Sequence, residues 1–212
     1  FGTRLRPLTN ECPKPLLKVG EKPILELILE SLVASGFYRF FISTHYLPEM
    51  IREHFGDGSQ WGVSIQYVHE EDPLGTGGAL GLLPAEEIDL PVLMMNGDLL
   101  TTVNYRELLD FHNNHDSIAT MCVRQYEHQI PYGVVQTDGT YIQSMDEKPV
   151  QKCFINAGIY VVSPELVASV EKGARIDMPT LLENNMATGK KVSMFPVHEY
   201  WLDIGKMDDF KR

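Results

Sequence analysis

The sequence predicts an α/β protein built around a mixed, largely parallel sheet, and three observations carry that expectation. Apolar segments of strand length alternate with amphipathic stretches through residues 24–123. The run at 91–95 is apolar throughout, as in a strand covered on both faces. Asp138-Gly139 sits between two strand-like segments and marks an antiparallel hairpin in the second half.

Taken in order, Ile24–Ala34 places Ile24, Leu25, Ile28, Leu29, Leu32 and Val33 on one helical face, and Gly36 supplies a left-handed stop. Arg39–Thr44 reads as a short apolar strand and Pro48–Phe55 as a helix. Residues 63–68 read as a strand in which Val63, Ile65 and Tyr67 alternate with polar neighbours. A Gly-rich turn with a short helix spans 75–83, the apolar strand 91–95 follows, Asn104 opens a helix, and 117–123 is the next strand. Beyond Val123 the pattern turns antiparallel, with a hairpin over 133–136 and 141–145 and a buried strand at 156–162. Ser163-Pro164-Glu165 then caps a helix, and 179–185 forms another. No repeat, low-complexity segment or linker interrupts this order, so residues 1–212 are expected to form one domain.

Composition narrows the function. The chain has 212 residues, 43% of them hydrophobic, enough for a sizeable core. Its 18 Lys and Arg against 29 Asp and Glu give a net charge of −11, which argues against general affinity for nucleic acid or anionic membrane. No apolar run approaches the roughly 18 residues of a membrane span. Cys12, Cys122 and Cys153 are odd in number, widely spaced and without a C-x-x-C pair, which fits a reducing cytoplasm better than a disulfide framework or a zinc site.

Several residues carry chemistry. Gly2, Thr3, Arg4 and Arg6 put backbone donors, a hydroxyl and guanidiniums into one short segment, an arrangement suited to phosphate oxygens or to a solvated basic loop. Prolines on both sides of Lys14 stiffen it, keep it out of a helix and allow it to be aimed. Asp98 follows the apolar run 91–95 and is expected at the carboxyl end of a strand, where open α/β sheets bind ligands, although Asn96-Gly97-Asp98 also reads as a tight turn. At 75–78 missing side chains would let a flat base lie against the backbone, or simply make a flexible turn. Cys12 lies near arginines that would lower its pKa, yet no partner marks it as a nucleophile. His112 and His115, three apart on one helix, read as an exposed helix end rather than a metal pair.

The opening G-T-R-L-R-P-L-T followed by P-K-P-L-L-K-V-G-E-K-P-I-L-E resembles the sugar-1-phosphate nucleotidyltransferases. D-P-L-G-T-G-G-A-L, N-G-D at 96–98, E-K-P at 147–149, N-A-G at 156–158 and W-L-D-I-G at 201–205 extend the resemblance over nearly the whole chain. It is most similar to the branch containing mannose-1-phosphate and heptose-1-phosphate guanylyltransferases, with glucose-1-phosphate thymidylyl- and uridylyltransferases as wider relatives. The resemblance implies a Rossmann-like, mostly parallel central sheet flanked by helices, with a small antiparallel sugar-binding part. It also implies an apolar strand and a glycine pair upstream of Phe1, and Lys211-Arg212 comes just after an expected helix start, so the domain is expected to be truncated at both ends.

The implied reaction joins a nucleoside triphosphate to a sugar 1-phosphate, giving an NDP-sugar and pyrophosphate, with GTP and mannose- or heptose-1-phosphate as the first expectation. The resemblance assigns Arg4 and Lys14 to phosphate neutralisation and Gly2, Thr3, Leu74, Gly75, Thr76 and Asp98 to the nucleotide. It assigns Glu147, Lys148, Asn156 and Gly158 to the sugar phosphate, and Asp98 with Asp203 to Mg²⁺; the alternative for Asp203 is a helix N-cap. A homo-oligomer or a fused regulatory domain is compatible with all of this. So are two other functions: a non-catalytic NDP-sugar sensor, and a metal-dependent glycosyltransferase, although no Asp-x-Asp marks the latter.

Overall fold

The computed structural model describes residues 5–205. A short hairpin of β1 (Lys18–Val19) and β2 (Lys22–Pro23) leads into α1 (Ile24–Ala34), which buries Ile24, Ile28, Leu29 and Leu32 on its inner face. Burial of each such side chain stabilises the fold by roughly 1.5–3 kcal/mol. Gly36 ends the helix at φ +97, with its N–H donating to Val33 O. β3 (Arg39–Thr44), α2 (Pro48–Phe55) and β4 (Ser64–His69) follow, with β3 and β4 paired in parallel. The apolar sides of α1, α2 and this pair meet at Leu29, Ile51, Phe55 and Ile65.

Next come α3 (Gly75–Gly78), β5 (Val92–Met95), β6 (Leu99–Thr101) and α4 (Tyr105–Asn113). Asn104 caps α4 as expected, accepting from the N–H groups of Arg106 and Glu107. The remaining strands are β7 (Ala119–Gln129), β8 (Val134–Asp138), β9 (Tyr141–Asp146), β10 (Val150–Val162), β11 (Val192–Pro196) and β12 (Trp201–Asp203). Helices α5 (Pro164–Ser169) and α6 (Met178–Ala187) lie between β10 and β11.

Among the described residues the central sheet runs β11-β7-β10-β5. β7 and β11 are parallel, and β10 is antiparallel to both its neighbours. β10 shows why its inner half reads as a continuous apolar run. Ile159 and Val161 face a core shared with α1 and α4, while Tyr160 and Val162 face one shared with α5 and α6. The α/β expectation of a mixed sheet flanked by helices therefore holds.

β7 and β10 run beyond this core as an antiparallel arm, so the strands expected at 117–123 and 156–162 are longer than their buried parts. Backbone pairing carries the arm out into solvent, where Glu127 and Lys152 form an exposed ion pair at 2.8 Å. The hairpin of β8 and β9 projects from it, turning at Gly139 with φ +59.

Candidate active site

Two proline-flanked and glycine-containing loops meet at the carboxyl end of β5. Lys14 opens a one-turn 3-10 helix, Lys14–Leu16, which corrects the expectation that its prolines exclude helical structure. Pro15 occupies the first turn, where its missing N–H leaves no hydrogen bond unmade. Its ring faces the second loop, and a Cβ added at Gly97 would sit 3.9 Å from Pro15 Cγ. Across this approach the Lys14 ammonium donates to Oδ2 of Asp98. The two side chains are 17% and 26% exposed, so water screens their attraction less than it would a surface pair.

Asp98 lies three residues past β5, as its position after the apolar run implies. Asn96-Gly97-Asp98 does turn, but into a further strand rather than toward the next helix, and that strand, β6, pairs with β12. Asp203 therefore stands on a strand, opposite Leu99, which corrects the N-cap alternative. Ile204 N donates to Asp98 O at 3.0 Å, so the turn that carries Asp98 lies against the end of the strand that carries Asp203.

β12 is anchored from the other side. Trp201 Nε1 donates to Ala157 O at 2.8 Å, inside the irregular stretch Asn156–Tyr160 of β10. Asn156 shapes that stretch by accepting from Gly158 N at 2.8 Å and donating to the Tyr160 hydroxyl. Gly158 has φ +70, and its N-A-G segment receives the N–H of Asn96 on its carbonyl at 3.0 Å. Among the described residues no group of three or more His, Cys, Asp or Glu comes together. Asp98 and Asp203 are two hard oxygen donors, a set that suits a divalent cation completed by water and phosphate oxygens.

Lys14 borders a cleft of about 490 Å³ that Thr44, Glu70, Gly75, Thr76, Arg175 and Asp177 also line. A smaller hollow of about 280 Å³ adjoins it, also bordered by Gly75, Arg175 and Asp177. Asp177 Oδ1 accepts from Thr76 N at 2.9 Å, and Thr76 Oγ1 accepts from Met178 N at 2.9 Å, which locks the α3 turn to the start of α6. This interlock explains the glycines. A Cβ would fall 2.7 Å from Ile176 O at Gly75 and 2.4 Å from Ala174 O at Gly78, so close approach of the 174–178 backbone requires them. Leu74 is buried, and its N–H donates to Glu70 Oε2. Thr44 is 2% exposed, and its buried Oγ1 has no hydrogen-bond partner among the described residues, a deficit of about 1–3 kcal/mol.

The structure thus pairs Lys14 with Asp98, places Asp203 on the strand beside Asp98, and sets Gly75 and Thr76 in the cleft that Lys14 borders. Gly2, Thr3 and Arg4 lie outside the described residues. Glu147 and Lys148 sit where the β8–β9 hairpin joins the arm: Glu147 is beside Gly133, and Lys148, at φ +47, accepts from Gln129 on its carbonyl. Sequence reasoning passed over Glu70, Arg175 and Asp177, because charged residues in loops carry no local mark of the cleft they line.

The cysteines and histidines stand differently from expectation. Burial pushes the Cys12 thiol up rather than down, and pushes Cys122 up to about 12, so neither is primed as a nucleophile. His112 is not at an exposed helix end. It is 5% exposed, its Nδ1 is 2.9 Å from Thr120 Oγ1, and burial lowers its pKa. His115 is exposed and stacks on Phe111.

The family model described as nucleotidyl transferase matches residues 1–212. The mannose-1-phosphate guanyltransferase of Candida albicans is 34% identical over 224 residues, covering 99% of this chain and 60% of the relative. The mannose-1-phosphate guanylyltransferase of Mycobacterium tuberculosis is 32% identical, covering 100% and 60%. The chain thus spans about 60% of the length of these curated relatives. The crystal structure of HddC from Yersinia pseudotuberculosis superposes with a TM-score of 0.75 at 23% identity, over 100% of this chain and 92% of that one, a likeness of fold.

Proposed function

The chain belongs to the nucleotidyl transferase family, and from that premise we propose that it transfers a nucleotidyl group from a nucleoside triphosphate to a sugar 1-phosphate, releasing pyrophosphate. GTP with mannose-1-phosphate or a heptose 1-phosphate is the first choice, in keeping with the guanylyltransferase names of its relatives. The observation that carries the reading is the Lys14–Asp98 ion pair just past β5, with Asp203 on the strand beside Asp98 and Lys14 bordering an open cleft. The domain is read as a single unit over residues 1–212.

The chemistry asks little covalent work of the protein. A sugar phosphate loses its second proton near pH 6, so its oxygen attacks the α-phosphorus already ionised and needs no general base. What remains is charge neutralisation and in-line positioning. Lys14 and Arg4 supply positive charge to the phosphates. Mg²⁺, held by Asp98 and Asp203, would neutralise charge on the phosphate oxygens. Leu74, Gly75 and Thr76, with Gly2 and Thr3, form the nucleotide side. Glu147, Lys148, Asn156 and Gly158 form the sugar-phosphate side.

Pyrophosphate release, measured for GTP, ATP, UTP and dTTP against several sugar 1-phosphates with Mg²⁺ present, tests the proposal. Turnover is expected, fastest with GTP. Silence with every pair would overturn it.

A further inference from the structure

Arg175 differs from Lys14, the other cation on the cleft wall. Lys14 is committed to Asp98, whereas the exposed Arg175 has no hydrogen bond or ion pair among the described residues. It borders both the main cleft and the adjoining hollow. The nearby Asp177 leaves it free, since Asp177 Oδ1 is occupied by the N–H and hydroxyl of Thr76, at 2.9 and 3.3 Å. A guanidinium held at a cleft wall with its donors unspent is a recognition group, because its planar fork matches two acceptors side by side.

Lys14, paired with Asp98, lines the cleft, and Arg175 borders the cleft and the adjoining hollow together with Gly75. On the proposed function, on which this inference rests, Gly75 and Thr76 form the nucleotide side, so Arg175 stands beside the base. Guanine presents two adjacent acceptors, O6 and N7, to a paired donor. Adenine presents N7 beside an amino donor, and pyrimidines have no N7. We infer that Arg175 selects guanine, directing two N–H donors to O6 and N7 of the bound nucleotide. A phosphate contact by the same residue would strengthen every nucleotide alike, which makes the two roles separable.

Equilibrium binding of GTP, 7-deaza-GTP and ATP to the full chain, to Arg175→Ala and to Arg175→Lys decides the matter without turnover. A bidentate contact of this kind discriminates by about 5- to 150-fold. The unmodified chain is expected to bind GTP tighter than ATP within that range, and tighter than 7-deaza-GTP by at least about 5-fold. Arg175→Ala is expected to bind GTP and 7-deaza-GTP equally, and Arg175→Lys to keep a smaller preference than the unmodified chain, because lysine can still donate to N7 but lacks the planar fork. Equal binding of GTP and 7-deaza-GTP by the unmodified chain would overturn the inference. So would a preference surviving in Arg175→Ala, or a uniform loss over all three nucleotides. These results leave the proposed function standing, whereas failure to bind any nucleotide would sink both.

Discussion

Replacing Gly158 with alanine tests how the irregular stretch of β10 holds the loop that carries Asp98. Gly158 has φ +70, and an alanine there pays roughly 1–2 kcal/mol for the left-handed backbone alone. Its Cβ would also lie 2.7 Å from Asn96 Nδ2 and 3.1 Å from Leu99 Cδ1. Asn96 can rotate, but Leu99 is 2% exposed in the main core, so overpacking adds about 1–3 kcal/mol. Gly139 provides the control: it has φ +59, and its Cβ would meet nothing within 4 Å, so Gly139→Ala pays the backbone cost only.

Urea unfolding should therefore place Gly158→Ala about 1–3 kcal/mol below Gly139→Ala. In a chain of this length that corresponds to about 2–12 °C in Tm. Turnover measured well below either midpoint should also fall further in Gly158→Ala, because Asn96 and Leu99 bracket Asp98. Equal unfolding midpoints for the two variants would refute the steric argument.

Asp98→Asn is expected to lower pyrophosphate release by about 10³-fold or more, since ion neutralisation contributes several kcal/mol, while the fold persists because Lys14 reaches water; near-normal turnover would remove Asp98 from the reaction. Buried His112 makes stability fall with acid. Its folded pKa is lowered from 6.5, so the unfolded chain takes up the proton first, and stability present above pH 6.5 is lost as pH drops below it. Urea midpoints from pH 7.5 to 5.5 should decline, and less steeply in His112→Gln; identical slopes would exclude this histidine as a source. A thiol reagent at pH 8 should label exposed Cys153 first, Cys12 slowly and Cys122 only after denaturation; early labelling of Cys122 in the native chain would contradict its burial.

The helices α1 and α2 and the strand β3 match their sequence-based bounds because each has a local cause. These are apolar spacing of three and four residues, a glycine or proline at an end, and a compact apolar run. The same holds for the Asn104 cap and the Asp138-Gly139 turn, where side-chain oxygen and left-handed glycine act within a few residues. β6 and β12 escaped notice, since three residues carry no periodicity and each strand exists by pairing with the other. β11 was equally silent beside α6.

For the glycines at 75–78, composition identified a special backbone and left its reason to be found in the 174–178 segment packed against it. His112 is followed by polar residues in the chain, but it packs inward beside Thr120 on the sheet. The motifs, then, determined the family resemblance and the residue types available for phosphate chemistry. The fold alone decided that Asp203 returns on the strand beside Asp98, that Lys14 pairs with Asp98, and that Arg175 borders the cleft. Those meetings depend on hydrogen bonds and burial between distant parts of the chain, energies that arise only once the core brings them together.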